Sequence, residues 1–516
     1  MTSDSLPSGW AQTRLEDVAT IVLGQSPPGD TYNEDGDGLP FFQGKAEFGE
    51  MYPSVAKWCS RPVRVAEPED VLISVRAPVG PTNLSREVSC IGRGLAAIRP
   101  SDGIPPRYLL YAIRASESEL ASKGTGSTFS AISGQQLHQH PIPLAPLPEQ
   151  RRIVAEIEKQ LTRLDAAVAA LSRSQAKLKR YRSAVLKAAC EGHLVPTEAE
   201  LARAEARDYE SADVLLERIL KQRRARWEAA QLNKIRAKGK EPKDARWKAK
   251  YQEPGAPESE GLQGFPEGWT RVSLGQLTWS VKDGPHYSPP YVADGVPFIT
   301  GGNVRPEGVD FEGAKNVSST THTELSRRCK PERGDILYTK GGTTGIARVN
   351  TYDVEFSVWV HVAVLKIAGD VDVFFLQHTL NSPACYAQAQ RYTHGVGNQD
   401  LGLTRMVRIH FGLPPIGEQV RIAAEVDRRL SIVRELQSTV DHALARAGRL
   451  RQSILKTAVR GKLVAQDPND EPANVLLERI RAERARWPSA NGRSSRRSRS
   501  ADAKAAQMRL EEAARE

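Results

Sequence analysis

The 516-residue chain has little of what secreted, membrane-bound or metal-dependent proteins require. Its five cysteines are widely scattered and form no CxxC pair, so we expect reduced, packed thiols rather than a disulfide framework or a zinc site. No apolar run is long enough to cross a bilayer. The N-terminal segment has neither a basic start nor an apolar core, which predicts no secretory signal. Together these features favour a cytoplasmic protein with no membrane partner.

The sequence also lacks the motifs of several enzyme classes. It contains no GxxxxGK[ST] phosphate loop, and the GGTTG run at 341–345 has neither the GxGxxG order nor a following helix. No pair of histidines four residues apart accompanies a glutamate, as a zinc hydrolase would need. We therefore predict no catalytic residue, no metal and no cofactor bound by this chain.

One tetrapeptide could point the other way. Residues 288–291 spell SPPY, which resembles the catalytic motif of amino-group DNA methyltransferases, where an aromatic face holds a flipped base. No glycine-rich loop for adenosylmethionine accompanies it, and residues 26–29 spell SPPG without the aromatic side chain. A Pro-Pro loop shared by two similar domains is the better interpretation, and a self-sufficient methyltransferase remains an alternative.

Positive charge is in excess and unevenly distributed. The net charge is +10 with a pI near 9.3, which favours a polyanionic partner. From Lys221 to Lys250, twelve Lys or Arg residues stand against three acids, a local charge of +9. This stretch is either a solvated helix end with a linker or a contact to the DNA backbone.

The most informative feature is an internal repeat. PLPEQRRIVAEI from Pro146 matches PPIGEQVRIAAEV from Pro414, so that Glu149 corresponds to Glu418 and Gly192 to Gly461 at an offset of 269. LPSGW (6–10) likewise matches FPEGW (265–269). The chain therefore contains two copies of one half-chain, a pseudo-dimer in one polypeptide.

Each copy begins with a globular segment, residues 1–148 and residues 265–416. Both segments are rich in Gly and Pro and contain short β-type runs, such as DVLISVR (70–76), DILYTK (335–340) and FSVWVHVAVLKI (356–367). Both also contain one helical patch, RYLLYAIRA (107–115) and FFLQHTLN (374–381). We predict two mixed α/β domains dominated by strands.

A helical spacer follows each domain, at residues 149–227 and 417–488, and opens with a long heptad-patterned helix. Packing of the two helices against each other is favoured, with packing of each against its own domain as the alternative. Polar seam positions are predicted to fix the register (Gln175, Arg182, Gln437, Arg451), and Gly192 and Gly461 to cap the helices. The apolar seam consists of Ile157, Leu161, Leu164, Val168, Leu171, Leu178, Val185, Val426, Leu430, Val433, Val440, Leu444 and Ile454.

Two segments look unlike packed structure. Residues 228–264 combine charge with Pro and Gly and predict a basic linker or extended tether. The Ser/Arg-rich tail at 489–516 is predicted to be disordered or weakly helical.

The two domains, the paired helices opening on P-x-x-EQ, the G-[HK]-LV helix ends and the AKGKEPKDARWKAKY stretch resemble the specificity (S) subunit of type I restriction–modification systems. The resemblance implies an α+β fold: two target-recognition domains separated by an antiparallel coiled coil, with an internal pseudo-two-fold repeat. It also implies that each domain reads one half of a bipartite, asymmetric site in double-stranded DNA. The helices would space the domains and dock two methyltransferase (M) subunits carrying S-adenosylmethionine. Restriction (R) subunits using ATP and Mg would complete a nuclease, and the chain itself would be non-catalytic.

Candidate base-reading residues lie on loops that the repeat places at related positions. Segments 70–80 and 335–345 match at an offset of 265 and put Arg76 and Lys340 at nearly equivalent loop starts. Basic side chains suit guanine and amides suit adenine in the major groove. For each candidate, an ordinary exposed loop residue is the alternative, and a coiled-coil scaffold whose domains bind proteins is the alternative for the whole chain. The candidates are Gln43, Lys45, Arg76, Ser127, Thr128, Gln135, Asn303, Arg305, Lys340, Thr343, Thr344, Asn398 and Gln399.

Overall fold

A computed structural model describes residues 6–124, 131–242, 244–257, 264–395 and 399–486. The chain divides into two compact units. The first unit consists of Met1–Leu171 with His442–Glu516, and the second unit of Ser172–Asp441. Each unit thus combines one globular domain with segments of both long helices.

The first domain is strand-rich, as predicted. Its strands Ala11–Arg14 and Pro141–Leu144 pair antiparallel and bring its two ends together. A four-stranded sheet has the order Ala19–Leu23, Leu95–Pro100, Val71–Ser74, Thr82–Leu84. A five-stranded sheet has the order Tyr32–Asn33, Trp58–Cys59, Leu39–Phe42, Ser89–Ile91, Val65–Ala66. Its helices are Leu15–Val18, Pro106–Ala115, Glu117–Ser122 and Gly134–His138, with 3-10 turns at Gly29–Thr31 and Lys45–Glu47.

The second domain repeats this plan. Thr270–Ser273 pairs with His410–Leu413, and a four-stranded sheet has the order Thr278–Asp283, Val362–Ile367, Ile336–Thr339, Ala347–Val349. Smaller sheets are formed by Lys315–Val317, Val296–Ile299 and Ser357–Val358, and by Val304–Arg305 with Gly308–Val309. Its helices are Leu274–Leu277, Ser319–Arg328, Val373–Leu380, Pro383–Tyr392 and Leu403–Met406, with a 3-10 turn at Gly301–Asn303.

Two long helices, Leu147–Cys190 and Ile416–Ala458, contain 44 and 43 residues, or about 65 Å each at 1.5 Å per residue. In the first unit, Asp165 binds Arg451, while Ile157 shares a core with Ile454. In the second unit, Gln175 donates to Asp441 at 3.0 Å, while the later Val185 shares a core with the earlier Val426. Within each unit the two helices therefore run antiparallel, and the predicted α+β fold with its internal repeat is confirmed.

The predicted apolar seam coincides with the covered side of both helices. Each of its thirteen residues is buried or half-buried, whereas the residues that alternate with them along the helices are mostly exposed. The ends of the seam also enter the domain cores: Leu161 packs in the core of the first domain, and Val426 in that of the second. The ends of the stripe therefore contact the domain cores, and the two helices contact each other through Asp165 with Arg451 and Gln175 with Asp441.

The polar seam positions make specific contacts. Gln175 and Gln437 both donate to Asp441 Oδ1 at 3.0 Å. Arg182 lies 3.9 Å from Glu307, and Arg451 lies 3.7 Å from Glu50 in addition to binding Asp165. Within its own unit, each seam arginine thus reaches from the helix pair to a loop of the domain packed beside it.

Shorter helices complete the units: Glu198–Glu205, Ala212–Arg236 and Ala473–Arg486. Leu215 and Ile219 of the second of these helices are fully buried in the core of the second unit. Leu476 and Ile480 of the last helix occupy the related place in the core of the first unit. None of the described helices is both long and apolar enough to span a membrane.

The structure corrects the prediction that the segment beginning at residue 228 is an extended tether. The helix Ala212–Arg236 continues into it, and a 3-10 turn at Arg246–Lys250 packs back on that helix. The rings of Trp227 and Trp247 stack at 6.2 Å, and Lys248 binds Glu228 at 2.8 Å. The Trp227–Trp247 stack and the Lys248–Glu228 ion pair hold this part of the segment against the helix. The charge, Pro and Gly content of the segment did not predict this contact. The tail at 489–516 lies outside the described residues.

Candidate nucleic-acid interface

In the first domain, three strand ends are locked together by backbone hydrogen bonds. Gly92 N donates to Phe42 O at 2.8 Å, and Val75 N donates to Gly94 O at 2.9 Å. Ile132 N then donates to Val75 O at 3.0 Å, which ties the segment after residue 130 to the same place. These bonds form a rigid junction, and we call it the first junction.

The second domain contains the same junction, bond for bond. Trp359 N donates to Ile299 O at 2.9 Å, Lys340 N to His361 O at 2.9 Å, and Leu401 N to Lys340 O at 2.8 Å. We call this arrangement the second junction. Isolated β-bridges from Arg76 to Ala131 and from Gly341 to Asp400 show that the two candidate loop segments of each domain contact each other.

Several predicted base-reading residues converge at the first junction. Gln43, Lys45 and Arg76 are exposed and line one cavity of about 220 Å³. Arg93, which the sequence analysis did not select, is exposed on the same cavity. Gln135 is exposed on the short helix Gly134–His138. Ser127 and Thr128 lie outside the described residues.

The backbone of this cavity is held firmly. Ser74 Oγ donates to Arg76 O at 2.9 Å, and Arg76 also forms a β-bridge with Ala131. Arg93 N donates to Ser26 Oγ at 3.4 Å, so the SPPG segment supports this arginine. Neither guanidinium has an ion-pair partner among the residues that the structure describes. Within the described part of the chain, both are therefore cations without an ion pair on a fixed backbone, the arrangement that directional recognition requires.

The predicted residues of the second domain divide into exposed and structural ones. Thr343 and Gln399 are exposed, and Arg305 is exposed but binds Asp310 at 2.7 Å. Asn398 lies outside the described residues. Among the described candidates of this domain, Thr343 and Gln399 are thus exposed neutral side chains, whereas the exposed Arg305 is held in an ion pair.

The prediction that Asn303 and Thr344 contact bases is corrected, because both side chains are buried. Asn303 is 7% exposed, and its Oδ1 accepts from Thr300 N at 3.0 Å and from Thr300 Oγ1 at 2.7 Å. Its amide nitrogen donates to Asp310 O at 3.1 Å, so the side chain holds a turn together. Thr344 is 5% exposed, beneath the surface that its neighbour Thr343 presents.

Lys340 is the clearest departure from the sequence analysis. Its side chain is 2% exposed, and Nζ contacts Asp400 Oδ1 and Oδ2 at 3.0 and 2.9 Å and Asp283 Oδ2 at 3.4 Å. The matched hydrogen bonds show the reason: Lys340 corresponds to Val75, and Gly341 corresponds to Arg76. A shift of one residue at a strand end turns a side chain to the opposite face. Lys340 therefore points inward, where it needs carboxylate partners.

Lys340 belongs to a cluster of charged side chains that also contains Asp283, Asp400 and Arg328. Arg328 Nη2 binds the buried Asp283 at 2.8 Å, so two cations face two carboxylates. His361 lies beside them, and its burial together with the Lys340 ammonium lowers the pKa of His361. The cluster fastens the segment around Asp400 to the second junction and leaves no free cation of its own.

The SPPY segment at 288–291 lies at the surface of the second domain. The Tyr291 ring is 40% exposed, lies 6.1 Å from the Phe298 ring and has Lys315 Nζ 4.6 Å from its centroid. A tyrosine covered by a lysine on one face and packed on a phenylalanine serves here to support the sheet containing Val296–Ile299. This placement gives the tetrapeptide a structural role in the described part of the domain.

Two domains that share one backbone junction but present different side chains define a two-domain recognition protein. Comparison with known proteins agrees. Residues 7–180 and 266–438 each match the type I restriction modification DNA specificity domain, and one of these ranges lies in each half of the internal repeat.

Individual relatives carry the same description. The type I restriction enzyme EcoBI specificity subunit of Escherichia coli is 24% identical over 501 residues, which cover 93% of this chain and 94% of that subunit. The putative MjaX specificity subunit of Methanocaldococcus jannaschii is 40% identical over 156 residues, but these cover only 30% of this chain and 37% of that subunit. A crystal structure of the HsdS subunit from Thermoanaerobacter tengcongensis is 50% identical over 35% of this chain and 44% of its own, with a TM-score of 0.30. The chain belongs to the type I restriction–modification DNA specificity family.

Proposed function

We propose that this chain is the DNA-reading subunit of a type I restriction–modification complex, in which each domain reads one half of a bipartite site. The observation that carries the proposal is the pair of junctions, which share their hydrogen bonds but differ in their exposed side chains. A shared frame positions both domains alike on a duplex, and different side chains read different bases.

The two half-sites are therefore proposed to differ. Two identical readers related by a two-fold axis recognise a palindrome. Here Arg76 of the first domain has Gly341 as its counterpart in the second, so the readers are not identical. The complete site is then asymmetric, with an unread segment between its halves.

The long helices are proposed to space the domains and to dock two methyltransferase subunits. After the seam is covered, large apolar side chains remain exposed at repeat-matched positions: Tyr181 is 46% exposed and Leu450 is 48% exposed. Exposed apolar groups repeated at an offset of 269 suit a partner that binds twice. The methyltransferase subunits would supply S-adenosylmethionine and the adenine-methylating site. Restriction subunits using ATP and Mg would join the same complex, and this chain would perform no chemistry itself.

The basic segment is proposed to assist by binding phosphates without reading sequence. Lys221, Lys234, Lys238 and Lys240 are exposed along the helix Ala212–Arg236 and just beyond it. Contacts of this kind raise affinity for any DNA and make binding sensitive to salt.

The test is selection of bound duplexes from a random pool by the chain co-expressed with its methyltransferase subunit, at several salt concentrations. The methyltransferase subunit alone is the control. We expect one two-part motif, with log affinity falling by roughly 0.9 per phosphate contact for each tenfold rise in salt. A complex that enriches no motif, or binds DNA independently of salt, would contradict the proposal and favour the protein-binding scaffold.

A further inference from the structure

The two junctions differ in the charge of their side chains at matched positions. The shared hydrogen bonds align Lys45 with Gly301, Arg76 with Gly341, and Arg93 with Val360. Every cation at these positions of the first junction is thus replaced by an uncharged residue in the second. Because the backbone frames agree, the difference lies in the side chains alone.

The one lysine that belongs to the bonds of the second junction, Lys340, does not compensate for this loss of positive charge. Lys340 is held by Asp283 and Asp400, and Arg328 by Asp283. A buried lysine between two carboxylates can leave them only at a large energetic cost. The second junction therefore presents neutral groups, Thr343 and Gln399 among them.

At the first junction, by contrast, the two arginines are prepared for directional hydrogen bonding. Their backbones are fixed by Ser74 and Ser26, and both side chains line the cavity of about 220 Å³. An arginine presents two parallel N–H donors, which fit the O6 and N7 acceptors on the major-groove edge of guanine. Glu47, the acid nearest in sequence to Lys45 of the same cavity, is occupied, since its Oε2 accepts from Gly44 N at 3.1 Å.

From this contrast we propose that Arg76 and Arg93 are specificity-determining residues that read guanine in the half-site of the first domain. The matched positions of the second domain make no arginine–guanine contact. This assignment rests on the proposed function, because it presumes that the junctions face the DNA bases. It goes further by naming the base class that each junction can and cannot select.

The experiment uses the full chain with its methyltransferase subunit and the duplex motif that the selection above yields. Each guanine of the motif is replaced in turn by 7-deazaguanine, which pairs normally but lacks the N7 acceptor. We expect roughly 10- to 100-fold weaker binding for at least one guanine in one half-site only. Arg76→Ala or Arg93→Ala should remove that sensitivity while leaving the other half-site unchanged.

Two further variants separate base reading from charge and from folding. Arg76→Lys keeps the charge but not the paired donors, so it should keep general DNA affinity and lose discrimination at the guanine. Arg61→Ala removes another exposed arginine of the same domain, one that binds Asp30 at 2.8 Å and lies outside the cavity. This control should leave the motif unchanged.

The possible failures are distinguishable. Absence of any motif overturns the proposed function and the assignment with it. A clear motif whose guanines tolerate 7-deazaguanine, or whose halves are unchanged in both arginine variants, overturns the guanine assignment and leaves the proposed function standing. Equal weakening of all duplexes by Arg76→Ala and Arg76→Lys alike would also overturn it.

Discussion

The indole N–H of Trp10 donates a hydrogen bond to the carboxylate of Glu149 at 3.0 Å, across 139 residues of sequence. The same bond recurs in the second unit, where Trp269 donates to Glu418 at 2.9 Å. Each bond joins the entry of a domain to the first turn of the long helix that leaves it. The two bonds therefore fix the orientation of each domain on its own helix.

Replacement of these glutamates tests that role. Glu149→Ala leaves the buried Trp10 N–H without an acceptor and should cost about 1–3 kcal/mol of unfolding free energy. Glu418→Ala should cost more, because Glu418 also accepts from Glu198 N at 2.8 Å. Urea denaturation of both variants measures the difference, and equal or negligible losses would contradict the account.

The charge of the same carboxylates predicts a pH dependence. Burial raises the pKa of Glu149 and of Glu418 above the ordinary value of 4.5. A raised carboxylate pKa means that the folded chain binds a proton more readily, so stability is lost as the pH rises through the folded-state pKa. Glu149→Gln keeps an acceptor for Trp10 and does not titrate. Its stability relative to the parent chain should therefore increase from pH 4.5 to pH 7, and a constant difference would contradict this.

The glycines that end the long helices offer a third prediction. Gly192 and Gly461 have φ of +74° and +64°, and a Cβ on either would lie 2.4 Å from the ring of Pro266 or Pro7. Alanine at either site should cost about 2 kcal/mol or more, from left-handed backbone strain and displacement of the proline.

Gly448 provides the matched control, because it lies within the helix Ile416–Ala458 and a Cβ there would meet nothing within 4 Å. Gly448→Ala should stabilise the chain by about 0.5–1 kcal/mol. Thermal melting compares the three variants. A stabilising Gly192→Ala or Gly461→Ala would show that these helix ends are not held as described.

Lys340 yields a prediction opposite to the one that its sequence position suggests. Lys340→Ala should destabilise the second unit by about 3 kcal/mol, since it leaves Asp283 and Asp400 without their shared cation. The exposed Lys45 serves as control, and Lys45→Ala should change stability by less than about 0.5 kcal/mol. Hydrogen exchange across residues 335–341 and 399–405 locates the effect. Unchanged stability in Lys340→Ala would restore it as a candidate for direct DNA contact.

Four of the five cysteines should be unreactive in the folded chain. Burial raises the pKa of Cys90 to about 12, of Cys329 to about 12 and of Cys190 to about 11, and it raises the pKa of Cys385 as well. Because the thiolate is the reactive form, a thiol-specific dye at pH 8 should label these residues slowly until denaturant is added. Rapid labelling of any of the four before unfolding would contradict their placement.

The parts of the fold that follow a local period could be predicted from the sequence. The seam from Ile157 to Val185 and the caps at Gly192 and Gly461 were identified because a heptad and a helix-ending glycine are patterns over a few residues. The bond from Trp10 to Glu149 could not be identified, although both motifs were seen to repeat, because it joins distant segments.

The candidate site shows the same limit in a sharper form. The sequence indicates Gln43, Lys45 and Arg76 as independent candidates, and the structure brings them to one cavity. Lys340 lies one residue before Gly341, the counterpart of Arg76 at the offset of 265, and one residue is decisive where side chains alternate between two faces. Arg93 was missed because the signal, a single arginine between Gly92 and Gly94 after a strand, gains meaning only when the junction places it beside Arg76.

The central claim is that two different readers in one chain recognise one bipartite site, and genome-wide mapping of adenine methylation tests it most directly. The host is compared with a strain lacking this gene and with one carrying Arg76→Ala. The account predicts that deletion removes a single two-part, non-palindromic methylated motif, and that Arg76→Ala alters one half of it. A motif lost by deletion that proves palindromic, or a methylome unchanged by deletion while the methyltransferase subunit is expressed and active, would contradict the account.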